Sequence, residues 1–213
     1  MQGILKSIVL RSGWLIITAF SVFLFAITAL YFVYYYNPAY NFLAKKQDVV
    51  FNVFWRTAFY IHITGGMLAL LVGPFQFIKK LRNKYLRFHR NIGKVYLVAI
   101  LILGGPSGLF MAFYAEGGGI AVIGFSIMAL LWIGTTYMAL ETVKKKKIDQ
   151  HRAWMVRSFA LTFAAVTLRL YVPIASAVFH IPGTIVETSS AWVSWVPNLI
   201  VAEILIRTIS KRI

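Results

Sequence analysis

Six long apolar runs, separated alternately by strongly basic and by nearly uncharged connections, leave this chain few folds to adopt. Of its 22 lysines and arginines, all but four precede the first run, follow the last, or crowd the second and fourth connections. Lys6 and Arg11 stand before the first run, and Lys79, Lys80, Arg82, Lys84, Arg87, Arg90 and Lys94 mark the second connection. Lys144, Lys145, Lys146, Lys147, Arg152 and Arg157 mark the fourth, and Arg207, Lys211 and Arg212 close the chain. Only Lys45, Lys46 and Arg56 fall on the other side, and Arg169 lies inside a run. Short cytoplasmic loops accumulate Lys and Arg. The pattern therefore predicts an all-α polytopic membrane protein with both termini in the cytoplasm.

A hydrocarbon core of about 30 Å takes roughly 20 helical residues. Six stretches meet that length: 13–36, 57–78, 93–115, 119–140, 158–180 and 193–210. With 60% apolar residues in a chain of 213, little is left for a soluble domain, so the whole chain reads as a single transmembrane domain, a six-helix bundle. The first run ends in the aromatic cluster Tyr34-Tyr35-Tyr36 rather than a small-residue cleavage site, which marks an anchor and not a removable signal. Asn37-Pro38 ends that helix. The connection that follows, 37–56, carries Tyr40, Phe42, Phe51, Phe54 and Trp55; it lies along the interface or folds as a lid. Glu116-Gly117-Gly118-Gly119 allows only adjacent antiparallel helices.

The net charge of +16 is accounted for by basic loops against anionic lipid headgroups. The expected partner is the lipid bilayer, and nucleic acid is not expected. There is no cysteine, which excludes disulfides, thiolate metal sites and cysteine nucleophiles. No HExxH, i,i+4 histidine pair, Walker loop or Gly-x-Ser-x-Gly occurs. The sequence leaves open whether the protein is an enzyme, and it carries no metal motif.

Polar residues inside the runs are the informative exceptions. Gly65, Ala69 and Gly73 are spaced by four, the small-residue pattern that lets membrane helices approach closely, and His62 and Gln76 share their side of the helix. On the fifth run His151, Ser158, Thr162, Arg169, Ser176 and His180 fall near one line, a stripe that must face the bundle interior or a wet cavity. If the fifth helix starts at 158 and the sixth at 193, Arg169 and Glu203 reach the same mid-membrane depth, and mutual neutralisation predicts an ion pair between them. Pro173 cannot donate to the carbonyl of Arg169 and should kink the helix there. Gln76, Arg169, Asn198 and Glu203 are thus candidates for an intramembrane polar site.

The histidines sort by side, with His89 and His151 at the basic end and His62 and His180 at the other. Opposed histidines on facing helices are one way a bundle holds haem b, with arginines against the propionates. His89-Arg90 with His151-Arg152 fits that pattern, and His62 is a further candidate ligand. His151 and His180 are 29 residues apart, about 43 Å of helix, and the fourth run has no histidine. One haem at the basic end is therefore compatible with the spacing and two are not. The same His-Arg pairs would equally bind phosphate headgroups.

Several ordered motifs carry a resemblance. They are His62-x-x-Gly65-Gly66 with Gly73-Pro74-x-Gln76-Phe77, His89-Arg90-x-x-Gly93-Lys94-x-Tyr96, His151-Arg152-x-Trp154-Met155-x-Arg157-Ser158, Thr167-Leu168-Arg169, and Trp195-Val196-Pro197-Asn198 leading to Glu203. Together they resemble a family of bacterial membrane proteins known as domain of unknown function 2306, over about 57–205. The resemblance implies a multi-pass protein of the bacterial inner membrane without an established activity. It also implies that His62, Gln76, His89, Arg90, His151, Arg152, Arg157, Arg169 and Glu203 belong to the family pattern.

Three readings follow. The first is a b-type haem redox protein using His89 and His151. The second is a binding or transport protein whose polar cavity takes a lipid, a quinone or a small anion. The third is a scaffold subunit that only packs against partners.

Overall fold

Why the helices form is simple: in a membrane every backbone N–H and C=O must bond within its own segment. A computed structural model describes residues 2–34, 37 and 41–210. Tyr35, Tyr36, Pro38, Tyr40, Lys211 and Arg212 lie outside the described residues, as do the side chains of Lys6 and Arg11. Among the described residues there is no strand, and six helices are long and apolar enough to cross a membrane. They are α1 (Gln2–Val33), α2 (Val53–Phe77), α3 (Leu86–Ala112), α4 (Gly118–Lys144), α5 (Ile148–Val178) and α6 (Gly183–Thr208).

Three helices begin well before their apolar runs. α3 starts at Leu86, α5 at Ile148 and α6 at Gly183. An apolar run measures the thickness of hydrocarbon, whereas helical hydrogen bonds continue through charged residues at the interface. Asp149 in the first turn of α5 favours the helix start.

α2 packs on α3, α3 on α4, and α4 on α5; α6 lies against α4 and α5, while α1 touches α2 and α5. The small residues of α2 do what their spacing predicts. A Cβ on Gly65 would sit 2.5 Å from the carbonyl oxygen of Ala99 and 2.5 Å from the Gly104 nitrogen, so α2 and α3 cross backbone to backbone. A Cβ on Gly73 would strike the Phe159 ring of α5 at 2.5 Å.

Two π-turns interrupt the bundle. Ala99–Gly104 precedes Gly105-Pro106 in α3, and Ile174–Val178 follows Pro173 in α5. Each proline lacks the N–H that would satisfy the carbonyl four residues back, and the widened turn is the local adjustment.

At the end opposite the basic loops, residues 41–52 fold down over the bundle. Leu43 and Val50 are buried with Trp55, Phe59 and Tyr31. Lys46, itself buried, donates to the Tyr114 carbonyl at 2.6 Å and pairs with Glu116 at 3.1 Å. The segment is a fixed cap, not a strip along the interface.

Candidate functional site

The polar groups of the bundle fall into four sets, which differ in whether the fold satisfies them. The centre is satisfied. The Tyr96 hydroxyl of α3 bonds Ser158 at 3.0 Å and Thr162 at 2.9 Å on α5, and Trp132 Nε1 of α4 donates to Thr162 at 2.9 Å. Thr136 bonds Ser158 at 2.7 Å and donates to the Trp132 carbonyl. Ser158 and Thr162 thus face the interior as the α5 stripe requires, and every hydroxyl there has a partner.

The second set joins α5 to α6 and corrects an expectation. Glu203 pairs with Arg157, not with Arg169: Arg157 Nε donates to Oε1 at 2.6 Å and Nη2 to Oε2 at 2.9 Å, a two-pronged contact. The Arg157 guanidinium also lies 4.6 Å over the Trp154 ring. The physical reason is helix length. With α5 starting at Ile148 and α6 at Gly183, Glu203 lies toward the basic end. Arg169 stands about 18 Å of helix away from Arg157. Asn198 is also taken: its Nδ2 donates to Thr167 at 2.9 Å and to the carbonyls of Ser194 at 3.0 Å and Ala160 at 3.3 Å. It clasps α5 to α6. The sequence-predicted polar site of Arg169, Glu203, Asn198 and Gln76 is therefore not one site.

The third set gathers at the basic end. His89 on α3 is within electrostatic reach of Arg82, His151 and Arg90, and His151 on α5 is within reach of Arg152 and Arg82. Gln76, at the end of α2, packs its amide against α3, since a Cβ on Gly93 would lie 3.2 Å from Gln76 Oε1. Gly93 is one helical turn beyond His89 on the same face. Three buried nitrogens here have no hydrogen-bond partner: Gln76 Nε2, Arg82 Nε and His89 Nδ1. Burial first, and the like charge of Arg152 second, hold Arg82 below the ordinary guanidinium value, as befits a cation without an acid beside it. Asp149, two residues before His151, is occupied by Arg152 at 2.9 Å. His151 is oriented: its Nδ1 bonds the Ala139 carbonyl of α4 at 2.8 Å, which leaves Nε2 free.

The fourth set lies deep in the other half. His62 Nδ1 bonds the Gly104 carbonyl at 2.8 Å, on the π-turn of α3, and Gly108 leaves room for its ring. His62 is within electrostatic reach of Arg169. His180 is elsewhere, exposed just past α5 with φ 52°.

Of the residues singled out by the sequence, His89, Arg90, His151 and Arg152 lie at the basic end and His62 in the other half. It missed Arg82 as a member of the basic-end cluster and Arg157 as the partner of Glu203. The only signal for the latter was the Trp154-x-x-Arg157 spacing, which stacks the two side chains on one helix face. Among the described residues no three His, Cys, Asp or Glu side chains gather to hold a metal ion.

No curated protein and no solved structure matches the chain. A family model does, over residues 59–206, which include α2 from Phe59, all of α3 to α5 and nearly all of α6. The chain, with its paired glycine crossings and its two histidine regions, belongs to the family described as predicted membrane protein (DUF2306).

Proposed function

We propose that this is a membrane binding protein that holds an anionic, phosphate-bearing lipid headgroup at its basic end. The observation that carries the reading is the trio of buried nitrogens without a hydrogen-bond partner, Gln76 Nε2, Arg82 Nε and His89 Nδ1. Buried polar groups are nearly always hydrogen-bonded, and each one left bare costs about 1–3 kcal/mol. These nitrogens, with Arg152 and His151 close to Arg82 and His89 and with Asp149 engaged, ask for a ligand rich in acceptor oxygens and negatively charged. Arginine forks match phosphate oxygens. By the rule that basic loops remain inside, this end faces the cytoplasm, and the protein belongs in a bacterial inner membrane.

Native mass spectrometry of the full chain with phosphatidylglycerol and with phosphatidylcholine tests this. Phosphatidylglycerol should remain bound selectively, and Arg82→Gln or His89→Gln should weaken it about tenfold. Equal retention of the two lipids would reject the reading. Displacement by millimolar inorganic phosphate would move the assignment from a lipid to a soluble anion.

A second reading is favoured by one observation. The bond from His151 Nδ1 to a backbone carbonyl is the arrangement that orients a metal-ligating imidazole. In a b-type haem protein His89 and His151 would hold the iron, and Arg90 and Arg152 would neutralise the haem's carboxylates. Bound haem would supply one-electron chemistry. A dithionite-reduced spectrum of protein from haem-replete cells decides: a sharp band lost in His151→Ala supports this reading, and colourless protein eliminates it.

A further inference from the structure

The fold leaves one charge in the membrane uncompensated. Arg169 makes no ion pair among the described residues, and Glu116, Glu141, Asp149 and Glu203 are all engaged by other cations. The guanidinium does not reach for the membrane surface. Arg169 lies nine residues from the far end of α5, about 14 Å. Helical side chains lean toward the N-terminus, and Nη1 donates back to the Ala165 carbonyl at 3.2 Å. The charge therefore stays inside the hydrocarbon, out of headgroup reach. The side chain is exposed, and so open to a ligand from the bilayer.

His62 meets it at the same depth, nine residues into α2 from Val53. The imidazole is fixed by the bond from Nδ1 to the Gly104 carbonyl, and Nε2 has no hydrogen bond. The ring fits because position 108 is glycine; a Cβ there would lie 2.8 Å from His62 Cε1. The Trp132 ring stands edge-on at 6.4 Å. Tyr31 of α1 is the other polar neighbour of Arg169, and its hydroxyl accepts the Phe42 N–H at 3.3 Å.

We propose that Arg169 and His62 form a second binding site, for the carboxyl head of a hydrophobic carboxylic acid such as a free fatty acid, with its tail in the bilayer. A carboxylate supplies the missing negative charge and two oxygens that fit the guanidinium fork. With Nδ1–H engaged, neutral His62 presents a lone pair at Nε2; the acid arrives protonated, its O–H bond breaks, the proton passes to Nε2, and the carboxylate is left between imidazolium and guanidinium. A neutral acid also crosses to this depth without the penalty of a charge in hydrocarbon. An oxidised quinone offers acceptor oxygens but neither charge nor a proton for Nε2, and a phospholipid headgroup does not descend this far. This site is independent of the one at the basic end, since different residues and different depths carry it.

The test is saturation binding of radiolabelled palmitate to the full chain in dodecyl maltoside, with thermal unfolding as the check on folding. Arg169→Gln should weaken binding about tenfold or more, while Lys145→Gln, at the opposite end of the bundle, should leave it within twofold. If Arg169→Gln does not fold, His62→Gln is read in its place and should also weaken binding. Absence of saturable binding, equal affinity in the variants, or competition by palmitate methyl ester as strong as by the acid would each overturn the assignment. Displacement of palmitate by an isoprenoid benzoquinone at lower concentration than by unlabelled palmitate would overturn it in favour of a quinone.

Discussion

The centre of the bundle and its basic end use similar polar side chains to opposite effect. At the centre Tyr96, Trp132, Thr136, Ser158 and Thr162 close a hydrogen-bonded network across three helices. At the basic end Gln76 Nε2, Arg82 Nε and His89 Nδ1 are buried without a hydrogen-bond partner among the described residues. A closed network stabilises one arrangement of helices. On the reading proposed above, the bare nitrogens are stabilised by a bound anion, and the contrast separates polar residues that hold the fold from polar residues that take a ligand.

The packing under the centre is the place to break it first. Gly65→Val would drive side-chain atoms into the α3 backbone at Ala99 and Gly104 and should destabilise the protein by about 3 kcal/mol or more. Loss of the monodisperse peak in fluorescence-detected gel filtration would register it. Tyr96→Phe deletes the hydroxyl shared by Ser158 and Thr162 and should cost about 1–2 kcal/mol, visible as a lower melting temperature with phosphatidylglycerol binding intact. Arg157→Leu strips Glu203 of its partner at a partly exposed position and should cost about 1 kcal/mol. Arg82→Gln should change the melting temperature of lipid-free protein least, because it removes a bare donor and no bond, while abolishing the stabilisation that added phosphatidylglycerol gives. If Arg82→Gln melts the lipid-free protein as far as Tyr96→Phe does, the two regions are alike and the distinction fails.

How far each feature was legible depended on its range. Gly65, Ala69 and Gly73 could be read because helix crossings in lipid depend on small residues at a fixed period. The interior stripe of α5 was legible at Ser158 and Thr162 for the same periodic reason. The Arg169–Glu203 pair was misread because depth was counted from the ends of apolar runs, and α5 and α6 both begin about ten residues earlier. An error of ten residues in each of two antiparallel helices moves their charges far apart along the membrane normal. Arg82 gave no signal at all, since nothing in a run of basic residues distinguishes the one that folds inward.

The sequence by itself determined six membrane-length helices, the asymmetry of charge between their two ends, and which faces carry small and polar residues. Those follow from local quantities: the thickness of hydrocarbon, the helical repeat and the cost of a bare backbone. The tertiary structure decided which cation met Glu203, that the 41–52 segment caps the bundle, and that His62 is held by a carbonyl on the α3 π-turn. Each depends on where one helix ends relative to another. No single-helix pattern encodes that relation, because it is fixed only when side chains from separate segments compete for the same space and the same hydrogen-bond partners.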